Sequence, residues 1–185
     1  MREWKEKRSN MSHYDRQATI YDVQYVGEQE SKIEDILENM DLGSKELVLD
    51  LGCGTGFLFK HVNKHVKALV GLDLSQKALH EAKKRTKKME NVALVRADAD
   101  NTPFPDNTFD KVFVITVLQN MPNPAKTLSE MKRVSRSQAT FAVTGIKKIF
   151  TQNSFVNLLE KENLKVVPLK EDQQLKGYVA VCTKL

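Results

Sequence analysis

Cysteine is scarce in this chain: two in 185 residues, Cys53 and Cys182, far apart and in different predicted elements. That excludes a disulfide scaffold and a cysteine-based zinc site, and it sets a reducing, cytoplasmic setting as the expectation. Histidine is nearly as rare, with His13, His61, His65 and His80 scattered, and no metal site is expected. Long apolar runs are missing, so nothing approaches the roughly 20 residues a membrane-spanning helix needs, and no membrane partner is expected. The opening Met-Arg-Glu-Trp-Lys-Glu-Lys-Arg has no apolar stretch behind its charges, so it does not read as a secretory signal. Internal repeats and low-complexity tracts are also absent. What remains, 41% hydrophobic and 29% charged, suits one globular domain with a core of ordinary size. The net charge of +5 raises nucleic acid as a partner without establishing it.

The stretch that organises the rest is 46–57, Glu-Leu-Val-Leu-Asp-Leu-Gly-Cys-Gly-Thr-Gly-Phe. Its apolar start fits a buried strand. The run breaks at Gly52, Gly54 and Gly56, and Phe57, Leu58, Phe59 and Val62 then recur at helical spacing. Strand, glycine turn and helix in that order open a nucleotide-binding α/β unit. Three readings compete. A dinucleotide would bring a pyrophosphate and a Gly-x-Gly-x-x-Gly fingerprint, but here the third glycine comes one residue early. Asp50 just before the turn would repel a pyrophosphate and suit a ligand carrying an ammonium group, such as the methionine part of S-adenosylmethionine. A purely structural turn is the third reading.

Residues 1–12 read as a polar, poorly ordered arm. Tyr14, Tyr21 and Tyr25 then fall on one helical face, either packing on the domain or forming a lid that borders the cofactor pocket. Apolar residues in 31–40 recur at helical spacing, with Ser31 and Glu34 in the pattern of a capping box. The predicted division is an arm with lid helices over 1–44 and one globular domain over 45–185. A second strand, 67–73, ends in Asp73. An acid roughly 20 residues past the glycine turn, at the next strand tip, can accept the hydroxyls of a ribose. Ser75 is a suitable N-cap for the lysine-rich helix over 76–88, which leaves Asp73 to a ligand and makes Leu74 its neighbour in the site. A third strand, 91–97, leads into Asp98 and Ala99, which could meet an adenine amino group and ring. The following stretch, up to 110, reads as a loop with two prolines. Strand four, 111–116, delivers Thr116 and Gln119 to the carboxyl end of the sheet, where ligands sit in such folds. A helix over 124–135, a strand over 138–145, a helix over 151–163 and two strands, 164–169 and 178–183, complete the chain. The last two strands are expected to pair antiparallel. Seven strands with helices between the first six indicate an α/β, doubly wound sheet.

With these residues in place the chain resembles the class I S-adenosylmethionine-dependent methyltransferases, the UbiE-like group among them. The resemblance rests on Asp50-Leu-Gly-Cys-Gly-Thr-Gly, on Gly71-Leu-Asp-Leu-Ser, on Ala97-Asp98-Ala99 with Pro103-Phe-Pro-Asp-Asn-Thr-Phe-Asp110, and on the segment after strand four. It implies a Rossmann-like, mostly parallel sheet of order 3-2-1-4-5-7-6 with strand 7 antiparallel. It implies that the 50–56 loop, Cys53 included, cradles the methionine part of S-adenosyl-L-methionine, that Asp73 holds the ribose and that Asp98 holds the adenine. Two departures stand out. Val134-Ser-Arg-Ser-Gln replaces the usual Pro-Gly-Gly turn before strand five, and Leu118-Gln-Asn-Met-Pro follows strand four without the usual His or aromatic residues.

Methyl transfer needs a nucleophile held in line with the sulfur–methyl bond, and a base only where a proton must leave. No catalytic base is assigned from the sequence, although His13 in the lid is a candidate to test. The Asn/Asp-Pro-Pro-aromatic segment of amino-directed base methyltransferases is absent, and neither cysteine sits where a pyrimidine-directed nucleophile would. With no insertions beyond the N-terminal segment, the active face is expected to be open. Arg2, Lys5, Lys7, Arg8, Arg16, Lys147 and Lys148 would make it basic, which favours RNA or a translation protein as acceptor over a small molecule. A small activating partner subunit is allowed for. So is the alternative that the chain is a non-catalytic, donor-binding subunit of a heteromeric enzyme.

Overall fold

The computed structural model describes residues 2–170 and 175–185; the side chains of residues 2, 13, 14, 16–24 and 168–170 lie outside that description. The apolar run Leu47–Leu51 forms β1 at the centre of the sheet, with Val48, Leu49 and Leu51 fully buried because helices cover both faces. Its neighbours are β2 (Ala68–Asp73) on one side and β4 (Phe109–Val114) on the other, both parallel to it. β3 (Val92–Arg96) pairs with β2, and β5 (Ser135–Ile146) pairs with β4, again in parallel. β7 (Gly177–Lys184) runs antiparallel between β5 and β6 (Leu164–Lys170). The order is β3-β2-β1-β4-β5-β7-β6, as the resemblance implied. Only β6 and β7 follow one another without a crossover, so β7 alone reverses and lies antiparallel to both of its neighbours.

The crossovers are α2 (Phe59–Val62) with a 3₁₀ turn at Asn63–His65, α3 (Gln76–Arg85), α4 (Pro124–Val134) and α5 (Gln152–Lys161). Ser75 caps α3 by accepting from the Ala78 N–H, Asn123 caps α4, and Thr151 with Ser154 closes a capping box on α5. No helix joins β3 to β4, which corrects the expectation of helices between all of the first six strands. Pro103 and Pro105 disfavour one there. The Arg133 guanidinium instead pins the loop by donating to the Phe104 carbonyl and to Asp106, while Glu130 accepts from Thr102.

The largest correction is at the N-terminus. Residues 2–12 are not a loose arm, and Ser31 does not start a helix. One helix, α1, runs over Arg2–Glu38, and Ser31 lies inside it. The segment carries no proline and many Glu, Lys, Arg and Gln residues, all good helix formers. Gly27 is its one interior glycine, a cost of about 1 kcal/mol. The burial of Ile33 and Ile36 against the sheet offsets it several times over. Among the described residues no helix is long and apolar enough to cross a membrane, and no group of three or more His, Cys, Asp or Glu is placed to hold a metal.

Candidate functional site

The carboxyl ends of β1, β2, β3 and β4 open onto one cavity, and α1 lies across its mouth. The floor is the glycine turn. Gly52 and Gly54 adopt φ of +84° and +54°, a region that costs a side-chain-bearing residue roughly 1–2 kcal/mol. The two glycines serve different ends. A Cβ on Gly52 would run into Val117 Cγ2, whereas a Cβ on Gly54 would meet nothing within 4 Å and would project into open space. The first lets the segment after β4 close over the turn, and the second leaves the main chain open to a ligand.

Asp73 ties β2 to this turn. Its carboxylate accepts the N–H of Gly54 at 2.9 Å and of Ser75 at 2.8 Å. Burial pushes its pKa up, against the lowering effect of these backbone donors. Asp50 is 3% exposed and lines the same cavity, and among the described residues it forms no ion pair. Burial first, and the Asp73 charge second, push its pKa up to about 8. A buried acid beside a second, half-buried one is expensive without a cation nearby.

Nine of the sequence-predicted site residues meet at this cavity: Asp50, Gly52, Cys53, Gly54, Asp73, Leu74, Asp98, Ala99 and Thr116. Gly56 is not in its wall; it is buried under the turn, where an added Cβ would strike the Phe59 ring. Gln119 is not in the wall either, and its Oε1 is buried in the 3₁₀ turn Leu118–Asn120. The side chains of Tyr14 and Tyr21, like that of His13, lie outside the described residues. Cys53 is buried, and its thiol is pushed well above its ordinary value, so it is a neutral wall and no nucleophile. His61, His65 and His80 do not line the cavity, and Cys182 is buried in β7.

Sequence reasoning missed the contribution of α1. Lys7, Asn10, Met11, Gln29 and Ile33 all line the cavity. Lys7 Nζ lies 2.8 Å from both Asp98 carboxylate oxygens and 2.5 Å from Asp100 Oδ2. Asn10 donates to the Asn120 carbonyl at 2.7 Å, and Asp15 accepts from the Ser75 hydroxyl. The spacing of Lys7, Asn10 and Met11 along one helical face was the available signal, but only to a reader who had made 1–12 a helix. The basic face also changes character. Lys7 is buried and paired, and Lys147 lies over the Tyr178 ring at 5.6 Å.

Residues 49–143 match the methyltransferase domain family. The chain belongs to the class I S-adenosylmethionine-dependent methyltransferases. A demethylmenaquinone methyltransferase of Staphylococcus saprophyticus is 37% identical over 102 residues, which cover 54% of this chain and 44% of that protein. The matched region thus spans less than half of that relative. Among solved structures, a SAM-dependent methyltransferase from Aquifex aeolicus superposes with a TM-score of 0.73 at 22% identity, covering 81% of this chain and 88% of that one. A Haloferax volcanii methyltransferase, solved in complex with the Trm112 methyltransferase activator, gives 0.76 at 15% identity, covering 92% and 96%. At these identities the structural likeness is one of fold.

The methyltransferase's cofactor is S-adenosylmethionine, and the residues present fit it. Gly54 leaves open the space a Cβ would fill, and the buried Asp50 and half-buried Asp73 carboxylates suit a cationic, hydroxyl-bearing ligand.

Proposed function

We propose that this methyltransferase transfers the methyl group of S-adenosylmethionine to a small, largely apolar aromatic acceptor of the quinol type. The observation that carries this reading is the apolar share of the cavity's lining. Met11 and Ile33 from α1 join Leu58, Ile115, Val117 and Met121 in lining the same cavity as the acids. An apolar enclosure favours a ring system over a polyanionic strand. The RNA expectation rested on an open basic face, and α1 across the site with Lys7 paired to two acids weighs against it. The name of the staphylococcal relatives, demethylmenaquinone methyltransferase, points the same way.

In this reading Asp50 faces the donor's ammonium, the 52–56 turn its methionine chain, Asp73 its ribose hydroxyls and Asp98 its adenine amino group. The bound donor supplies an electrophilic methyl on a sulfonium. The chain's own part is to align the acceptor, exclude water and provide no competing nucleophile. A ring carbon of the acceptor gains the methyl, the sulfur keeps the electron pair of the broken bond, and the displaced ring proton leaves to solvent. Among the described residues the cavity's ionisable groups are Lys7, Asp50, Cys53, Asp73 and Asp98. In this reading the acceptor brings its own ionisation.

The test is a labelled-methyl assay with reduced 2-prenyl-1,4-naphthoquinone, total RNA and a protein fraction in parallel. Label in the naphthoquinol, identified by mass spectrometry, supports the reading. Label in RNA or protein overturns it in favour of the macromolecular acceptor. Tight donor binding with no label anywhere favours a non-catalytic subunit that works with a partner.

A further inference from the structure

Thr116 is the most strained residue around the cavity. It stands just past the tip of β4 with φ of +63°. A β-branched residue there is a steric outlier, which persists only where its surroundings over-determine it. Three side chains do so. The Thr116 N–H donates to Thr144 Oγ1 at 2.7 Å, and Thr144 is itself buried in β5. Asn120 Nδ2 donates to the Thr116 carbonyl at 3.0 Å. Gln29 Nε2 reaches across from α1 to Thr116 Oγ1 at 3.2 Å, with Gln29 Oε1 at 3.4 Å from the same hydroxyl. Glycine or asparagine would occupy this backbone position at less cost. What threonine adds is a hydroxyl aimed at the amide of the helix that roofs the cavity.

The strand order fixes what lies there. Asp98 follows β3, Asp73 ends β2, and Asp50 with the glycine turn ends β1. A donor laid along these three positions ends at β1, and the next strand is β4. Thr116 is therefore the first polar group beyond the donor. Gln29, 6% exposed, lines the cavity opposite it. Met11, Ile33, Val117 and Met121 add apolar side chains to the same cavity.

We infer that Gln29 and Thr116 form a clamp that binds and orients an oxygen of the methyl acceptor, and so select acceptors with an oxygen beside the reacting carbon. An amide and a hydroxyl together offer both donors and acceptors, so the clamp can hold either a phenol or a phenolate. It contributes no proton transfer, and its work is alignment. Thr144 is a positioning residue, because it acts only by holding the Thr116 backbone. This inference rests on the quinol-type reading for the identity of the acceptor, but the strain at Thr116 does not depend on it.

The experiment uses the full chain, with reduced 2-prenyl-1,4-naphthoquinone as acceptor probe and S-adenosylhomocysteine as calorimetric probe of the donor site. Gln29→Leu keeps the volume and removes the amide. It should raise KM for the probe at least fivefold and leave the S-adenosylhomocysteine Kd within twofold. A smaller KM change, or an equal loss in the donor site, overturns the clamp. If the wild-type protein does not methylate the probe, the acceptor class is wrong, and Thr116→Asn decides the clamp by thermal unfolding. Asparagine tolerates the left-handed region, so a retained strain predicts a midpoint no lower than wild type. A lower midpoint would show threonine to be the stabilising choice and would sink the inference.

Discussion

Replacing Lys7 by methionine sets the fold and the donor site against each other, and the two should move in opposite directions. Lys7 is 6% exposed, wedged between Asp98 and the fully enclosed Asp100, whose other oxygen, Oδ1, accepts from Thr127 at 2.5 Å. Removing the ammonium leaves two acids without their cation, a loss that in buried pairs costs about 3–5 kcal/mol. Asp98 keeps some contact with water, so the lower figure, about 3 kcal/mol, is the better one. For a chain of this size that corresponds to a midpoint lower by roughly 6–12 °C. The first turns of α1 should also become sensitive to protease. Burial pulls the Lys7 pKa down, but the Asp100 and Asp98 carboxylates outweigh it and the net direction is up. A raised lysine keeps its contribution below the unfolded value of about 10.4 and loses it only as pH climbs through the folded one. The difference between wild type and Lys7→Met should therefore be flat from about pH 6 to about pH 9. Donor affinity should go the other way. Lys7 and an adenine amino group both donate, and both would claim Asp98. Freeing that carboxylate should tighten S-adenosylhomocysteine by about threefold to tenfold, the worth of one ordinary hydrogen bond, because water competes for the partly exposed Asp98. Differential scanning fluorimetry and isothermal titration on the same preparation read both effects. Weaker donor binding together with the lower midpoint would refute the competition and make Lys7 part of the donor's own site.

Asp50→Asn should flatten a pH dependence. A carboxyl raised to about 8 stabilises the fold at low pH and loses that contribution as pH rises toward 8. Urea unfolding should thus show the asparagine variant gaining on wild type between about pH 5 and about pH 8 and levelling off above. Calorimetry should show weaker donor binding for the same variant. The two glycines should separate as their surroundings do. Gly52→Ala meets Val117 and should lose about 2–4 kcal/mol of stability, whereas Gly54→Ala should lose only the roughly 1–2 kcal/mol of backbone strain yet cost more in donor affinity. Equal affinity losses would show that the cavity does not open at Gly54. Asp73→Ala should weaken the donor by more than its ribose bonds alone, because Gly54 and Ser75 lose their acceptor. An unchanged Kd would move the ribose elsewhere. Finally, the methylation rate should follow the acceptor's own ionisation, so a plateau near pH 7 shared by acceptors of different acidity would point to a protein base.

The sheet was readable because its signals are local. An apolar run followed by a glycine turn, an acid at the next strand tip and a Pro-started helix each announce themselves within about ten residues, and their order then dictates a parallel sheet. The donor side of the cavity inherits that legibility, since Asp50, Asp73 and Asp98 lie at strand ends. The roof was not readable. Lys7 is an ordinary polar residue until Asp98, 91 positions later, stands against it, and Gln29 is another until Thr116 does. Nor does a sequence show a left-handed threonine, because the conformation is imposed by Thr144 on a neighbouring strand. The charge count misled for the same reason. A lysine counted toward a basic face turns out to neutralise a pair of acids, and a segment read as a loose arm turns out to line the site through Lys7, Asn10 and Met11. On the quinol-type reading, those long-range pairings bear on which acceptor can enter. The strand-end acids proposed for the donor stand in the order of the residues, and the proposed acceptor contacts show only in how α1 lies across them.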